Sequence, residues 1–245
     1  MSDQVYGLHA VQSLLERRAE DVELLLVQQG RQDKRLQQLV AQIESVGLSL
    51  QVVPREKLDT LAGGGRHQGV VAQVAERESA YSEKQLPELL AQLPAPALVL
   101  VLDGVTDPHN LGACLRSADA AGVSLVIAPK DKSASLNATV RKVACGAAET
   151  VPFVAVTNLA RTLKQLQDAG VWLVGMAGEA EQSLYDVDLT GPIAVVMGAE
   201  GAGLRRLTRE HCDYLAKLPM AGAISSLNVS VATGVVLFEV VRQRR

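Results

Sequence analysis

The sequence predicts an α/β protein in which a mainly parallel sheet, covered by helices on both faces, follows a smaller α/β unit. Two observations predict it. Apolar runs such as ALVLVL at 97–102 and IAVVM at 193–197 are continuous rather than alternating, as strands buried on both faces must be. Helical periodicity separates most of these runs, which supplies the crossovers that parallel strands require. At 245 residues and 48% apolar content, the chain is long enough for one large domain or two smaller ones with cores of their own.

The first part alternates by residue pattern: helix 8–19, strand 22–27, helix 34–46, strand 48–53, helix 55–61 and strand 70–75. Segment 34–46, KRLQQLVAQIESV, repeats its apolar residues at helical spacing, whereas 22–27 and 70–75 are β-branched or leucine-rich runs of strand length. Between the last helix and strand lies GGGRHQG at 63–69, a turn-rich segment offering Arg66 and His67. It reads as a connection or as a contact loop for phosphate or base, the connection being preferred. Residues 76–83 are polar and charged, and Pro87, Pro94 and Pro96 interrupt the stretch beyond them, so a boundary is placed here with a short helix at 86–93 inside it. The expected division is a first domain at 1–76, a linker at 77–95 and a second domain at 96–245.

In the second domain the strands are expected at 97–102, 123–127, 151–156, 171–175, 193–197 and 214–218. Helices are expected at 111–121, 136–145, 159–169, 204–212 and 227–241. Ligands of open parallel sheets bind beyond the carboxyl ends of strands, which directs attention to the loops after Leu102, Met197 and Leu218.

Composition narrows the chemistry. Aromatic residues make up 3% of the chain, too few for recognition by rows of stacked bases. A net charge of −3 argues against coating nucleic acid through overall charge. Local basic groups remain at Arg31/Lys34/Arg35, Lys130/Lys132, Arg141/Lys142, Arg205/Arg206/Arg209 and Arg242/Arg244/Arg245. Cys114, Cys145 and Cys212 are odd in number and widely spaced, which suits reduced, packed thiols better than disulfides or zinc ligands. His211 beside Cys212 has no second pair at ligand spacing, so no metal is expected. The N-terminus lacks a basic-then-apolar leader and no run is long enough to cross a bilayer, giving a cytoplasmic expectation.

Three loops carry the functional signal. The first reads DGVTDPHNLGACLRSADAAG, with Asn110 placed to cap the helix that Gly122 ends, and with Arg116 in ion-pair reach of Asp119 on that helix. In the second, GAEGAGLRRL, Gly198, Gly201 and Gly203 do not spell GxGxxG, and nothing in the chain matches GxxxxGK[ST]. A dinucleotide oxidoreductase and a P-loop NTPase are thereby disfavoured; Glu200 is a candidate cap for the next helix. The third, LPMAGAISSLNVSVATG at 218–234, carries no charge. Its Ser225, Ser226 and Asn228 need partners among small apolar neighbours, and either a ligand or a helix start capped by Ser226 or Ser225 would supply them.

The ordered set NLGACLR, MGAEGAGL and LPMAGAISSLNVSVATG closely resembles the three signature motifs of the SpoU (TrmH-type) branch of the SPOUT RNA methyltransferases. The likeness covers the whole second domain, and the first resembles the small ribosomal-protein-like substrate domain of some members. VYGLHAVQSLLE and SSLNVSVATG are similar to members that methylate a guanosine ribose in the peptidyl-transferase loop of 23S ribosomal RNA. Free 23S rRNA or a ribosome assembly intermediate is then the implied partner, with a tRNA or another rRNA position as the alternative target. The resemblance implies S-adenosylmethionine as cofactor, with Gly198, Leu218 and Leu227 touching it largely through backbone. Gly201 would turn the chain beside it, and Met220 with Ile224 would supply apolar walls. It further implies that Arg116 activates the ribose hydroxyl and that Asn110, Glu200, Ser226 and Asn228 complete the catalytic ring. Because a guanidinium stays protonated, Arg116 is read as orienting the hydroxyl and stabilising alkoxide rather than as a simple base.

A C-terminal trefoil knot and a homodimer through the C-terminal domain are implied as well. For the dimer the residues speak independently: segment 229–241 is apolar on nearly every face, with Val231, Val235 and Phe238 pointing away from Val236, Leu237 and Val240.

Overall fold

The computed structural model describes residues 3–31, 33–45, 47–74 and 81–245. The first part holds β1 (Asp3–Tyr6), α1 (Leu8–Arg18), β2 (Val22–Gln28), α2 (Lys34–Ser45), β3 (Leu50–Val53), α3 (Arg55–Leu61) and β4 (Val70–Val74). Its sheet runs β1-β4-β2-β3, with β4 antiparallel to both neighbours and β2 parallel to β3. The sequence pattern missed β1, whose four residues carry no usable period and are fixed by the ladder from Asp3↔Val74 to Tyr6↔Val71.

The remaining elements are α4 (Leu86–Ala91), β5 (Leu98–Asp103), α5 (Pro108–Ala120), β6 (Leu125–Pro129), α6 (Ala138–Ala144), α7 (Ala147–Thr150), β7 (Phe153–Val156), α8 (Leu159–Asp168), β8 (Trp172–Met176), β9 (Gln182–Ser183), β10 (Ile193–Gly198), α9 (Arg206–His211), β11 (Tyr214–Lys217) and α10 (Val229–Gln243). The seven strands lie in the order β7-β6-β5-β10-β8-β11-β9, and every adjacent pair is parallel.

Continuous apolar strands serve two cores at once. Leu98, Leu100 and Leu102 of β5 join Ile193, Val195 and Met197 of β10 in the core under α5, α6 and α10. Val99 and Val101, with Ala194 and Val196, face the opposite core with Leu86, Leu163 and Leu166. A period of two therefore sends alternate side chains to two dry faces, and burying each leucine contributes about 1.5–3 kcal/mol.

Residues 81–91 pack on this sheet. Tyr81 bridges to Val154, and the Glu83 carboxylate accepts from the Thr157 amide at 3.0 Å, the Thr157 hydroxyl at 2.8 Å and Arg161 at 2.9 Å. The two sheets also meet through α6 and α7. The Lys142 ammonium sits 5.4 Å from the Tyr6 ring centroid, and a Cβ on Gly146 would come within 2.4 Å of Ser13 Oγ.

Several local expectations are corrected. The cap of α5 is Asp107, whose Oδ1 accepts from the His109 amide at 2.9 Å; Pro108 opens the helix, leaving Asn110 buried inside it. Asn228, not Ser226 or Ser225, caps α10, because the helix starts at Val229 and both serines lie exposed in the irregular segment before it. Arg116 does not pair with Asp119: its Nη1 donates to Cys145 Sγ at 3.6 Å, while Asp119 accepts from the Thr150 hydroxyl. Cys145 is exposed rather than packed. His67 is buried, its Nδ1 accepting from the Gly69 amide at 3.0 Å and its Nε2 lying 3.0 Å from Asp59 Oδ1, so it fastens the 63–69 loop instead of presenting a side chain to a ligand.

Most of the basic groups are neutralised within the chain. Arg31 pairs with Asp33, buried Arg141 with Glu149, Arg205 with Asp103, Arg206 with Glu210, Arg209 with Glu179 and Arg242 with Glu239. Arg244 donates to the carbonyls of Pro96, Ala97, Leu189 and Gly191, fastening the C-terminal end of α10 to the start of β5.

Near that end, Glu239 accepts from Arg242 at 2.7 and 2.8 Å and from Gln243 at 2.8 Å. Chiefly the Arg242 hydrogen bonds pull its carboxyl from 4.5 down to about 2. A depressed folded value means a stabilising contribution present above the unfolded carboxylate range and lost as pH falls toward 2. Glu239→Gln is therefore expected to melt below the wild type at pH 7, with the gap closing between about pH 4.5 and 2 in thermal denaturation. A gap independent of pH would contradict this assignment.

Candidate active site at the carboxyl edge of the parallel sheet

Strands β5 and β10 are paired in register through Met197↔Leu102 and Gly198↔Asp103, so their loops leave the sheet at the same level. The loop after β10 closes immediately: the Ala199 amide donates to the Gly203 carbonyl at 3.1 Å, and the Gly203 amide returns to the Ala199 carbonyl at 2.9 Å. Gly201 and Gly203 hold left-handed φ values of 75° and 64°, as a non-glycine residue rarely does. The fold-back packs so closely that a Cβ on Gly198 would lie 2.2 Å from the Gly203 carbonyl carbon.

Glu200 rides on this loop, but it does not cap α9, whose cap residue is Arg205. It points instead to the start of α10, where its Oε1 accepts from Asn228 Nδ2 at 2.6 Å and from the Val229 amide at 3.4 Å. A carboxylate beside exposed helix amides is favoured there. The same Asn228 Nδ2 donates to Asn110 Oδ1 at 3.0 Å, and Asn228 Oδ1 accepts from the Ser230 amide and hydroxyl at 2.9 and 2.6 Å. With acceptors on one side and donors on the other, the orientation of the Asn228 amide is determined. Asn110, Glu200 and Asn228 thus form a hydrogen-bonded set drawn from three loops.

Two cavities flank the set. The larger, about 830 Å³, is lined by Gly198, Gly201, Leu218, Met220 and Leu227 together with Glu200, Ser226 and Asn228. The smaller, about 320 Å³, is lined by Asn110 and Glu200 with Asp103, Lys132 and Arg205. Residues 199–203 stand between them, and Glu200 faces both. Arg116 is not brought to either cavity of its own chain; it is exposed on α5 beside Cys145. Ile224, expected as an apolar wall, is 63% exposed and outside the lining.

Residue-level reasoning missed Met176, Ala177, Gly178 and Glu179, which close the large cavity after β8. The signal is the strand order: β8 lies between β10 and β11, so its carboxyl end opens onto the same space. Below the site, burial pushes the Cys114 thiol up to about 11 as it donates to Thr233 Oγ1 at 3.5 Å, and Cys212 is raised by burial to about 12. Neither is available as a thiolate nucleophile near neutral pH.

Comparison with known proteins bears directly on this architecture. A model of the SpoU rRNA Methylase family matches residues 97–238, and one described as RNA 2'-O ribose methyltransferase substrate binding matches residues 4–80. The chain is 59% identical over 244 residues, covering 100% of both proteins, to the 23S rRNA (guanosine-2'-O-)-methyltransferase RlmB of Escherichia coli (strain K12). It is 62% identical to the Yersinia pestis protein of the same name, across 100% of this chain and 98% of that one. Among solved structures, the SpoU methyltransferase AviRb from Streptomyces viridochromogenes in complex with AdoMet superposes with a TM-score of 0.81 at 25% identity, covering 98% of this chain and 90% of that one. AdoMet-bound rRNA methyltransferase from Sinorhizobium meliloti gives 0.79 at 26%, over 98% and 87%. With its family model spanning the very sheet whose three loops build this site, the chain belongs to the SpoU rRNA Methylase family.

Proposed function

We propose that this protein transfers a methyl group from S-adenosylmethionine to the ribose 2'-hydroxyl of a guanosine in the peptidyl-transferase loop of 23S ribosomal RNA. It is an S-adenosylmethionine-dependent rRNA methyltransferase. The observation that carries the reading is the Asn110–Asn228–Glu200 set standing at the boundary of a large glycine-lined cavity and a small polar one.

The large cavity suits the cofactor in size and in lining, with apolar Leu218, Met220 and Leu227 beside backbone at Gly198 and Gly201. When bound, the cofactor supplies an activated methyl on a sulfonium. The chain's own task is to hold a weak nucleophile in line and relieve it of a proton. Asn110 and Glu200 present acceptor oxygens toward a ribose at the boundary; Ser226 and Asn228 complete the ring. Arg116 orients the hydroxyl and an adjacent phosphate and stabilises the developing alkoxide, with the phosphate relaying the proton.

Arg116 reaches its ribose in a homodimer, acting on the cavity of the second subunit. Two observations support the dimer: Arg116 lies off its own cavity, and Val231, Val235 and Phe238 form an exposed apolar stripe along α10 while Val236, Leu237 and Val240 are buried. The loops on either side of β11 make the trefoil knot of the family, a reading supported by the passage of the chain from β10 past β8 to β11 and back to α10 over the same cavity. The first domain, 1–76, binds the RNA, 77–95 connects, and 96–245 carries catalysis, with exposed Lys34 and Arg35 free to meet phosphate. Among the described residues no helix is long and apolar enough to cross a membrane, and ribosomal RNA as substrate places the work in the cytoplasm.

Mapping ribose methylation in RNA from cells lacking the gene tests the assignment. One 2'-O-methylguanosine in 23S rRNA is expected to vanish and to return with the wild-type gene. Loss of a tRNA or other rRNA methyl would move the target, and a complete unchanged map would refute the activity.

A further inference from the structure

The small cavity contains an acceptor that the methyl-transfer chemistry does not use. Asp103, at the carboxyl end of β5, is fully buried at 0% exposure. Its Oδ2 accepts from the Arg205 amide at 2.9 Å, whereas Oδ1 has no hydrogen-bond donor and lies 3.3 Å from Arg205 Nε outside hydrogen-bond geometry. The Arg205 ion pair offsets the charge of this buried oxygen but leaves it without a hydrogen bond, so it can still accept from a ligand donor.

Its surroundings are open to one. Gly104, at φ +90°, leaves space that a Cβ would fill against Arg205 Nη2 at 3.5 Å, Ala199 at 3.6 Å and the Lys132 carbonyl at 3.7 Å. Lys132 itself is exposed at the rim, in a left-handed conformation with φ 55°. The pocket therefore combines carboxylate acceptors with a cationic donor, in a volume of about 320 Å³ at the lower end of the range for small-ligand sites.

Resting on the guanosine reading above, we propose that this pocket receives the guanine base of the target nucleotide and selects it. Asp103 accepts from the base N1–H and exocyclic amine, the donors that distinguish guanine from adenine, and Lys132 donates to O6. Entry of the base here requires it to leave its stack. It also sets the attached ribose at the boundary beside Asn110 and Glu200, with the base on the small-cavity side of residues 199–203 and the 2'-hydroxyl facing the large cavity. Asp103 is thus a specificity residue, distinct from the groups that act on the hydroxyl.

The test uses full-length protein and 23S rRNA fragments carrying guanosine, inosine or 2-aminopurine riboside at the methylated position, with methyl incorporation read as kcat/KM. Wild type is expected to favour guanosine over inosine, which keeps N1–H and lacks only the exocyclic amine, by about 5-fold or more, the lower end of the worth of a bidentate base contact. Asp103→Asn should bring that ratio near unity while binding S-adenosylmethionine as wild type does. Lys132→Met, at an exposed position where folding is not at stake, should leave the inosine ratio alone and lower, without abolishing, the discrimination against 2-aminopurine, which lacks O6 and also the N1–H that Asp103 takes. An unchanged inosine ratio in folded Asp103→Asn, or an unchanged 2-aminopurine ratio in Lys132→Met, overturns the proposal while leaving the methyltransferase assignment intact. Failure of the wild type to methylate the guanosine fragment would instead strike the functional reading itself.

Discussion

Arg116→Ala is expected to reduce methyl transfer at least 100-fold, about 2.7 kcal/mol in the barrier, without weakening S-adenosylmethionine binding. Arg116 lines neither cavity of its own chain, so its removal leaves the cofactor walls and the Asn110–Asn228–Glu200 hydrogen bonds in place. Its described hydrogen bond is to the Cys145 sulfur rather than to a carboxylate, so the guanidinium is available to a ribose and its phosphate. Arg116→Lys keeps the charge but loses the planar fork, and it should remain strongly impaired; near-wild-type transfer by the lysine variant would rule out a role for bidentate geometry. The dimer gives a sharper consequence. Co-expressed Arg116→Ala and Gly198→Val subunits assort so that half of the dimers are mixed, each with one intact composite site, and about a quarter of wild-type activity should return. No recovery in verified mixed dimers would place Arg116 in its own subunit's site.

Gly198→Ala should lower S-adenosylmethionine affinity by about 100-fold or more and reduce the melting temperature by several degrees. The added Cβ would sit 2.2 Å from the Gly203 carbonyl carbon and 2.5 Å from both the Gly203 oxygen and the Leu204 nitrogen. All three are backbone atoms, so no side chain can swing aside; residues 199–203 must lift away from β10. Doing so strains the paired Ala199 and Gly203 hydrogen bonds, moves the wall between the cavities and draws Glu200 away from Asn228. Gly178→Ala is the matched control. Gly178 lines the same large cavity, yet a Cβ there meets nothing within 4 Å, so its affinity should stay within a few-fold of wild type by calorimetric titration. Wild-type affinity in Gly198→Ala would mean that the close packing of this loop does not shape the cofactor site.

The alternation of strands and helices could be read along the chain because the side-chain period reports how many faces of an element are dry. β5 and β10 are apolar at every position since each serves two cores, and α3 was bounded at both ends by Pro54 and the glycines after Leu61. β1, β9 and α7 were not readable, whereas β3, β7 and β11, also of four residues, lie within longer strand-like runs: a pattern needs repetition, and the first three segments exist through their neighbours. The capping assignments failed for a related reason. Asp107, Asn110, Ser226 and Asn228 are all residues that cap helices well, and the sequence does not say which of them meets the first free amide.

The motifs in the three loops were plain in the sequence, and so was the need for small residues at 198, 201 and 203. What they join was decided by the tertiary structure. Asn110 and Asn228 lie 118 residues apart and Glu200 and Asn228 28 apart, distances over which no local pattern carries information. Strand order placed β8 between β10 and β11 and so put Met176–Glu179 in the cavity wall; ion pairing neutralised most of the basic groups; burial turned His67 into a loop fastener. The sequence by itself determined most of the strands, which faces are dry and which turns need glycine, because these follow from local sterics and hydrophobic period. Only the folded chain decided which polar side chains share protons, and that Arg116 stands apart from its own cavity, because such contacts depend on how distant segments are brought together.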